Sequence, residues 1–380
     1  MSSSNAGDLR TPAEPIPLTV LTGFLGAGKT TLLNRLLQDE ALAGTVVIIN
    51  EFGEIGLDHL LVRTIDDNMV LLQSGCLCCT LRGDLVSALE GLLRDLDNGR
   101  LAFRRVVLET TGLADPAPVL QTAMAHPYLV MRFRIDGVVT VVDAVNGAAT
   151  LDANMEALKQ VAVADRIVLT KSDLANTPER RHAKDALMAR LAALNPAAPI
   201  LDAASGEASA ARLIECGLYN PDQKIPDVKR WLAEEAYAAA AHHHEHEHHH
   251  DPNRHDERIR AFTLATDTPI PGASFEMFID LVRSPHGPKL LRLKGIVKIA
   301  EEPNLPLVIH GVQHVMHPPA RLERWPDADE RTRIVVITRD LAPEAVTRLF
   351  DAFLERRAPD TPDRAALLDN PLVPFGGVDR

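Results

Sequence analysis

Two rhythms of apolar and polar positions run along this chain. Short, nearly continuous apolar runs at 16–21, 45–49, 69–72, 105–109, 135–142, 165–170 and 198–201 have the length and β-branched content of buried strands. Between most of them apolar residues recur at helical spacing, as in Thr31-Leu-Leu-Asn-Arg-Leu-Leu37. Strands buried on both faces and alternating with helices predict an α/β fold, a mostly parallel sheet covered on both sides, with ligands at the carboxyl ends of its strands. Past residue 258 the rhythm changes: runs at 258–264, 289–297, 305–309, 313–316 and 332–338 alternate apolar with polar residues, and helical spacing falls near 274–283 and 343–355. This predicts a smaller α+β domain, an antiparallel layer with one solvated face. The expected boundaries are a loose tail over 1–14, a first domain over 15–217, a linker over 218–257, a second domain over 258–358 and a tail over 359–380.

The first strand runs into Gly23-Phe-Leu-Gly26-Ala27-Gly28-Lys29-Thr30-Thr31, which fits the phosphate-binding pattern G-x-x-x-x-G-K-[ST] between a strand and a helix, the setting that pattern requires. A loop in that place caps a helix N-terminus. Free backbone N–H groups and the positive end of the helix dipole favour polyanionic phosphates there, and glycines let the chain wrap closely around them. Lys29 is expected to reach the β- and γ-phosphates, and the Thr30 hydroxyl to ligate Mg²⁺.

A second pattern selects the base. The strand at 165–170 ends in Thr170-Lys171-Ser172-Asp173, a form of the guanine-reading [NT]-K-x-D motif. A carboxylate at Asp173 accepts both the N1 and the 2-amino hydrogens of guanine; against adenine it would be left unpaired. Lys171 would lie along the base with its aliphatic stem. The expected nucleotide is therefore GTP. A T-K-x-D tetrapeptide alone is weak, but at a strand end downstream of a phosphate loop it is specific.

Three of the four cysteines, Cys76, Cys78 and Cys79, fall within four residues. Such close neighbours make poor disulfides. The N-terminus has neither the basic start nor the apolar core of a secretory signal, and no apolar run approaches a membrane span, so a cytoplasmic protein with reduced thiols is expected. Thiolates suit Zn²⁺ or Cu(I), with Co²⁺ and Ni²⁺ open on geometry. A structural zinc site closes with four protein ligands and this cluster supplies at most three, so a metal site here would be open or labile; the plain alternative is a set of small buried thiols. Cys216 is isolated and reads as a packing thiol.

Together these residues resemble the CobW-like family of P-loop GTPase metallochaperones, relatives of the GTPases that mature urease and hydrogenase. The resemblance rests on 23–33, on Asn50-Glu-Phe-Gly-Glu-Ile-Gly-Leu-Asp58, on Gly75-Cys-Leu-Cys-Cys79, on Glu109-Thr-Thr-Gly-Leu-Ala-Asp-Pro116 and on Thr170-Lys-Ser-Asp173, in that order. It continues through Arg292-Leu-Lys-Gly295 and Gln313-His-Val315, which look like the family's small second domain. It implies zinc as the commonest metal, GTP hydrolysis as the switch and an apometalloprotein as client; among its branches the run 113–116 is closer to the zinc-type members. It further implies that the Gly112 N–H senses the γ-phosphate and that His126 lies near the metal region, although a lone histidine before proline is more often a helix-end or packing residue. Glu109, ending a strand, stands where P-loop proteins place an acid beside Mg²⁺. The segment 50–58 reads as a switch, in which Glu51 and Glu54 are candidate metal carboxylates or plain surface acids.

The linker carries His242, His243, His244, His246, His248, His249 and His250, interrupted by two glutamates. This tract is too polar to pack and fits a weak, accessory metal-collecting segment better than an internal tag. His310, His314 and His317 cluster farther on, with a structural role as the expectation. At 380 residues and 46% hydrophobic the chain can bury two cores, whereas a net charge of −12 with 4% aromatic residues argues against nucleic acid or an anionic membrane as partner. The resulting expectation is a GTPase that hands Zn²⁺ from the cysteines to a client, homo-oligomerisation being left open. Cobalt delivery for cobalamin or nitrile hydratase, nickel delivery, and a GTP-tuned metal store or sensor without a client remain as alternatives.

Overall fold

The computed structural model describes residues 15–51, 69–73, 80–214 and 258–354. Cys76, Cys78, Cys79, Cys216, Glu54, most of the 50–58 switch and the histidines of 242–250 lie outside the described residues.

Seven strands, β1 (Ile16–Gly23), β2 (Thr45–Glu51), β3 (Met69–Gln73), β4 (Arg105–Glu109), β5 (Phe133–Asp143), β6 (Arg166–Thr170) and β7 (Ile200–Asp202), form one wholly parallel sheet in the order β3-β2-β4-β1-β5-β6-β7. The helices around it are α1 (Lys29–Leu36), α2 (Thr80–Asp97), α3 (Ala117–Ala125), α4 (Pro127–Arg132), α5 (Gly147–Ala153), α6 (Met155–Ala162), α7 (Pro178–Leu194) and α8 (Ala210–Leu213). The period of two in each strand sorts its residues between two cores. Leu18, Val20, Val46, Ile48, Val106 and Leu108 meet Leu89 and Leu93 of α2 and Leu120 of α3 on one face. Leu21, Val47, Ile49, Val107 and Val141 meet Leu32 and Leu33 of α1 on the other. Each fully buried Leu, Ile or Val contributes about 1.5–3 kcal/mol, so these two faces dominate the stability of the layer. Strands β1 and β4 lie side by side with Leu21 opposite Glu109, which places the phosphate loop and Glu109 at the same sheet edge. Among the described residues no helix is long and apolar enough to cross a membrane.

The C-terminal sheet contains β8 (Ile259–Thr266), β9 (Leu290–Val297), β10 (Leu307–Val312), β11 (Val315–Met316), β12 (Ala320–Arg321) and β13 (Thr332–Arg339), in the order β11-β10-β9-β13-β8 with β12 beside β10, all antiparallel. Helices α9 (Gly272–His286) and α10 (Pro343–Phe353) cover one face, where Leu264, Leu293, Ile309, Ile334 and Val336 pack on Phe278, and Phe278 meets Phe350 edge-on at 5.2 Å.

The other face departs from the expectation of solvent. Every residue of β9 is buried. Ile259, Leu291 and Ile337 join Leu158 of α6 and Leu187 and Leu191 of α7 in a shared core, so the first domain covers this face. The polar residues that alternate along β9, Arg292 and Lys294, both reach Asp165, just ahead of β6. Their pattern implied water, but their partner is a buried carboxylate of the other domain. His310 is buried beside them, as its structural reading anticipated.

Candidate nucleotide-binding site

The loop after β1 owes its shape to two glycines. A Cβ on Gly23, at φ +140, would lie 2.3 Å from the Val141 carbonyl oxygen, so no side chain fits between β1 and β5 there. Gly28 caps α1 in the left-handed region at φ +92, which turns the chain from loop into helix without a side-chain cap. Lys29 and Thr30 follow as the first residues of α1, and the Lys29 Nζ donates to the Phe24 carbonyl at 3.3 Å across the loop.

Facing that loop, the Thr30 hydroxyl donates to Glu109 Oε1 at 2.7 Å. The two residues assigned to Mg²⁺ from sequence, 79 positions apart, therefore meet. A hydroxyl and a buried carboxylate at hydrogen-bond distance are a hard-oxygen pair that suits this ion. Gly112 packs directly on the phosphate loop: a Cβ there would stand 2.6 Å from the Leu25 nitrogen. Between them lies a solvent-open cleft of about 330 Å³ lined by Gly26, Gly28, Lys29, Thr30, Thr31, Glu109, Gly112 and Lys171.

The guanine motif is tied to the same loop. The Thr170 hydroxyl donates to the Ala27 carbonyl at 2.6 Å, and Lys171 Nζ to the Gly26 carbonyl at 2.8 Å. Lys171 itself is left-handed at φ +56 and starts the 3-10 turn Ser172–Leu174 that holds Asp173, exposed to solvent. One member of this group escaped the sequence reading. Asp143, the last residue of β5, accepts from Lys171 Nζ at 2.8 Å and from the Val145 and Asn146 backbone at 2.7 and 3.2 Å. Burial pushes its carboxyl up, but the bonds from Lys171, Val145 and Asn146 outweigh it and hold the group below its ordinary value. An acid closing a long apolar strand was the available signal.

The remaining candidates are not gathered here. Glu51 ends β2, and its side chain lies outside the described residues. His126 sits between α3 and α4 with Nε2 4.0 Å from Glu90, well along α2. Among the described residues no three His, Cys, Asp or Glu side chains are grouped to hold a metal ion.

The nucleotide-binding-domain model "CobW/HypB/UreG" matches residues 17–202, and the cobalamin synthesis protein cobW C-terminal domain matches 259–354. The chain belongs to the CobW/HypB/UreG family. Within this family it is similar to the zinc chaperone YjiA of Escherichia coli K12, 33% identical over 340 residues that cover 88% of this chain and 98% of YjiA. The zinc chaperone CobW of a Sinorhizobium species is 29% identical, covering 88% of this chain and 95% of that one. The crystal structure of Zn(II)-bound YjiA GTPase from E. coli superposes with a TM-score of 0.64 at 29% identity, over 89% of this chain and 99% of that one. The CobW-type chain thus shares both domains with these relatives.

Proposed function

We propose that this protein is a GTP-hydrolysing zinc chaperone that holds Zn(II) at Cys76, Cys78 and Cys79 and passes it to a client metalloprotein under nucleotide control. The observation that carries the proposal is the meeting of Thr30 and Glu109 at 2.7 Å across a phosphate-loop cleft, in a chain that aligns with nearly all of a zinc chaperone. Lys29 and the loop N–H groups hold the β- and γ-phosphates, and Thr30 and Glu109 hold Mg²⁺, which neutralises charge on those oxygens. Water attacks the γ-phosphorus, the bond to the β-phosphate oxygen breaks, and GDP and phosphate result. Neither an arginine finger nor a water-positioning glutamine is identified among the described residues, so turnover without a partner is slow. Gly112 and the 50–58 segment respond to the γ-phosphate, and that response alters access to the thiolates.

Asp173→Asn tests the base. It removes the charge that accepts two guanine hydrogens, so GTP affinity falls on the order of a hundredfold while xanthosine triphosphate gains. Calorimetry with both nucleotides checks it, and equal binding of ATP and GTP by the unaltered protein defeats the guanine assignment.

Zinc in a crystal is weaker support for a particular ligand set: a YjiA variant with one glutamate and two cysteines replaced by alanine is also Zn(II)-bound. Affinity is the proper measure. One Co²⁺ per chain should show thiolate charge-transfer absorption that vanishes when Cys76, Cys78 and Cys79 are all serine. Competition with a chromogenic chelator should find tighter Zn²⁺ binding with a GTP analogue than with GDP, roughly tenfold or more, and by linkage the metal tightens GTP equally. Unchanged tight binding in the triple serine variant places the site elsewhere, and identical affinity in both nucleotide states removes the switch.

A further inference from the structure

The second-domain motif Gln313-His-Val315 forms the turn between β10 and β11, whose strands pair Gly311 with Met316 and Val312 with Val315. Gln313 stands there at φ +53. A two-residue hairpin asks for glycine, asparagine or aspartate at such a position, and a long side chain held there costs backbone energy. What that side chain touches lies in the other domain. Gln313 Oε1 accepts from Gln121 Nε2 of α3 at 2.9 Å, and Gln313 Nε2 donates to Asp115 Oδ2 at 3.4 Å. Val312 and Val315 meanwhile pack into the core beneath α2 and α3, so the hairpin tip is seated firmly.

Asp115 belongs to the loop that begins at Glu109 and carries Gly112. The same Asp115 oxygen accepts from Lys159 of α6 at 3.0 Å. Next to Lys159, the buried Gln160 amide donates to the carbonyls of Gly112 and Ala114 at 3.3 and 2.9 Å. The loop is therefore held from two sides, by α6 of its own domain and by a hairpin of the C-terminal domain. Asp115 lies three positions after Gly112, a span of at most about 11 Å, so a restraint on one limits the other.

We propose that Gln313 is a positioning residue for this nucleotide-sensing loop, through which the C-terminal domain sets the preference for GTP over GDP. The inference rests on the guanine-nucleotide reading above. A loop already held against the phosphate loop loses less conformational freedom when it meets a γ-phosphate, and GDP, lacking that phosphate, gains nothing from the arrangement.

Gln313→Gly removes the side chain while suiting the left-handed backbone, so it leaves the turn intact. In the full-length protein it should lower the affinity ratio of a non-hydrolysable GTP analogue to GDP roughly fivefold or more, with GDP binding within about twofold of the unaltered protein. Gln313→Glu sets a second carboxylate beside Asp115 and should lower the ratio at least as far. A ratio unchanged in both variants, or equal losses for the two nucleotides, overturns the proposal, because a mere stitch between domains would not tell them apart. Amide hydrogen exchange without nucleotide supplies a second reading. Exchange over 112–115 should quicken in Gln313→Gly, and no change there likewise overturns the proposal. If the unaltered protein binds neither nucleotide, the GTPase reading falls by itself, and the exchange arm still decides whether Gln313 holds the loop.

Discussion

Lys29→Ala should lower kcat/KM for GTP by about a hundred- to a thousandfold and leave the fold in place. The ammonium occupies the inner wall of the cleft, nearly buried, with Nζ 3.3 Å from the Phe24 carbonyl. Facing β- and γ-phosphate oxygens, it is a point charge largely surrounded by protein, where attraction is stronger than in bulk solvent. Charge grows on the bridging and terminal oxygens as the γ-phosphoryl group leaves, so the loss falls on the transition state more than on ground-state binding. Stability should change little. Alanine has the highest helix propensity for the first turn of α1, and the bond to the Phe24 carbonyl is a long one at the wall of an open cleft. Phosphate release under steady-state conditions measures the first effect and thermal unfolding the second. Lys29→Arg should also be poorly active, because a planar fork does not replace a compact charge between two phosphates. A loss below about tenfold in Lys29→Ala would mean that the loop does not handle a triphosphate.

That prediction was available from sequence because its parts are local. The phosphate loop, the acid ending β4 and the motif ending β6 each lie within a few residues of a strand end, and a parallel sheet brings all such ends to one edge. The strand at 105–109 has the expected bounds, and those at 45–49 and 332–338 differ by no more than two residues. Long-range pairing was not legible. Asp165 reads as an ordinary polar residue at the head of a strand, yet it takes Arg292 and Lys294, 127 and 129 positions away, out of what looked like a solvated face. No spacing rule connects residues that distant. Asp143 was missed for a related reason: an acid closing an apolar strand is a weak signal until its partner Lys171, just past the end of β6, is seen. Gln313 was legible only as part of a resemblance, since its role depends on which loop the hairpin meets. The cysteines are the opposite case, conspicuous in sequence and outside the described residues.

The Asp165 cluster gives the largest expected effect on stability: Asp165→Asn should destabilise the protein by about 3–5 kcal/mol. Asp165, Arg292 and Lys294 are all buried where the two domains meet, and Asp165 Oδ2 also accepts from the Val138 backbone at 2.9 Å. Asparagine keeps the shape and can still accept that bond. What it removes is the negative charge that both Arg292 and Lys294 bond, so that two buried cations face each other with less compensation. Burial alone would raise the Asp165 carboxyl, but Arg292 and Lys294 outweigh it and hold the group far below the ordinary carboxylate range. Its contribution is thus complete above about pH 4 and is lost only as the pH falls through that depressed value. Lys294 is lowered to about 8, by burial first and then by Arg292, against the pull of Asp165. Stability should therefore rise further between about pH 8 and 10.5, where the unfolded chain still holds that proton.

His310 sets the acid side within the accessible range. Burial, then Arg292 and Lys294, push it well below its ordinary value, so it stays neutral in the folded protein while the unfolded chain takes up a proton below about pH 6.5. Stability should fall by about 1.4 kcal/mol per pH unit below that point from this residue alone, and His310→Gln should remove that share of the slope. Urea unfolding of the three proteins at pH 7.5, 6.5 and 5.5 separates the effects. Asp165→Asn should be weaker at every pH, whereas His310→Gln should differ from the unaltered protein in slope. An Asp165→Asn penalty under about 1 kcal/mol would mean that water reaches Arg292 and Lys294, and that the seam between the domains is open rather than sealed.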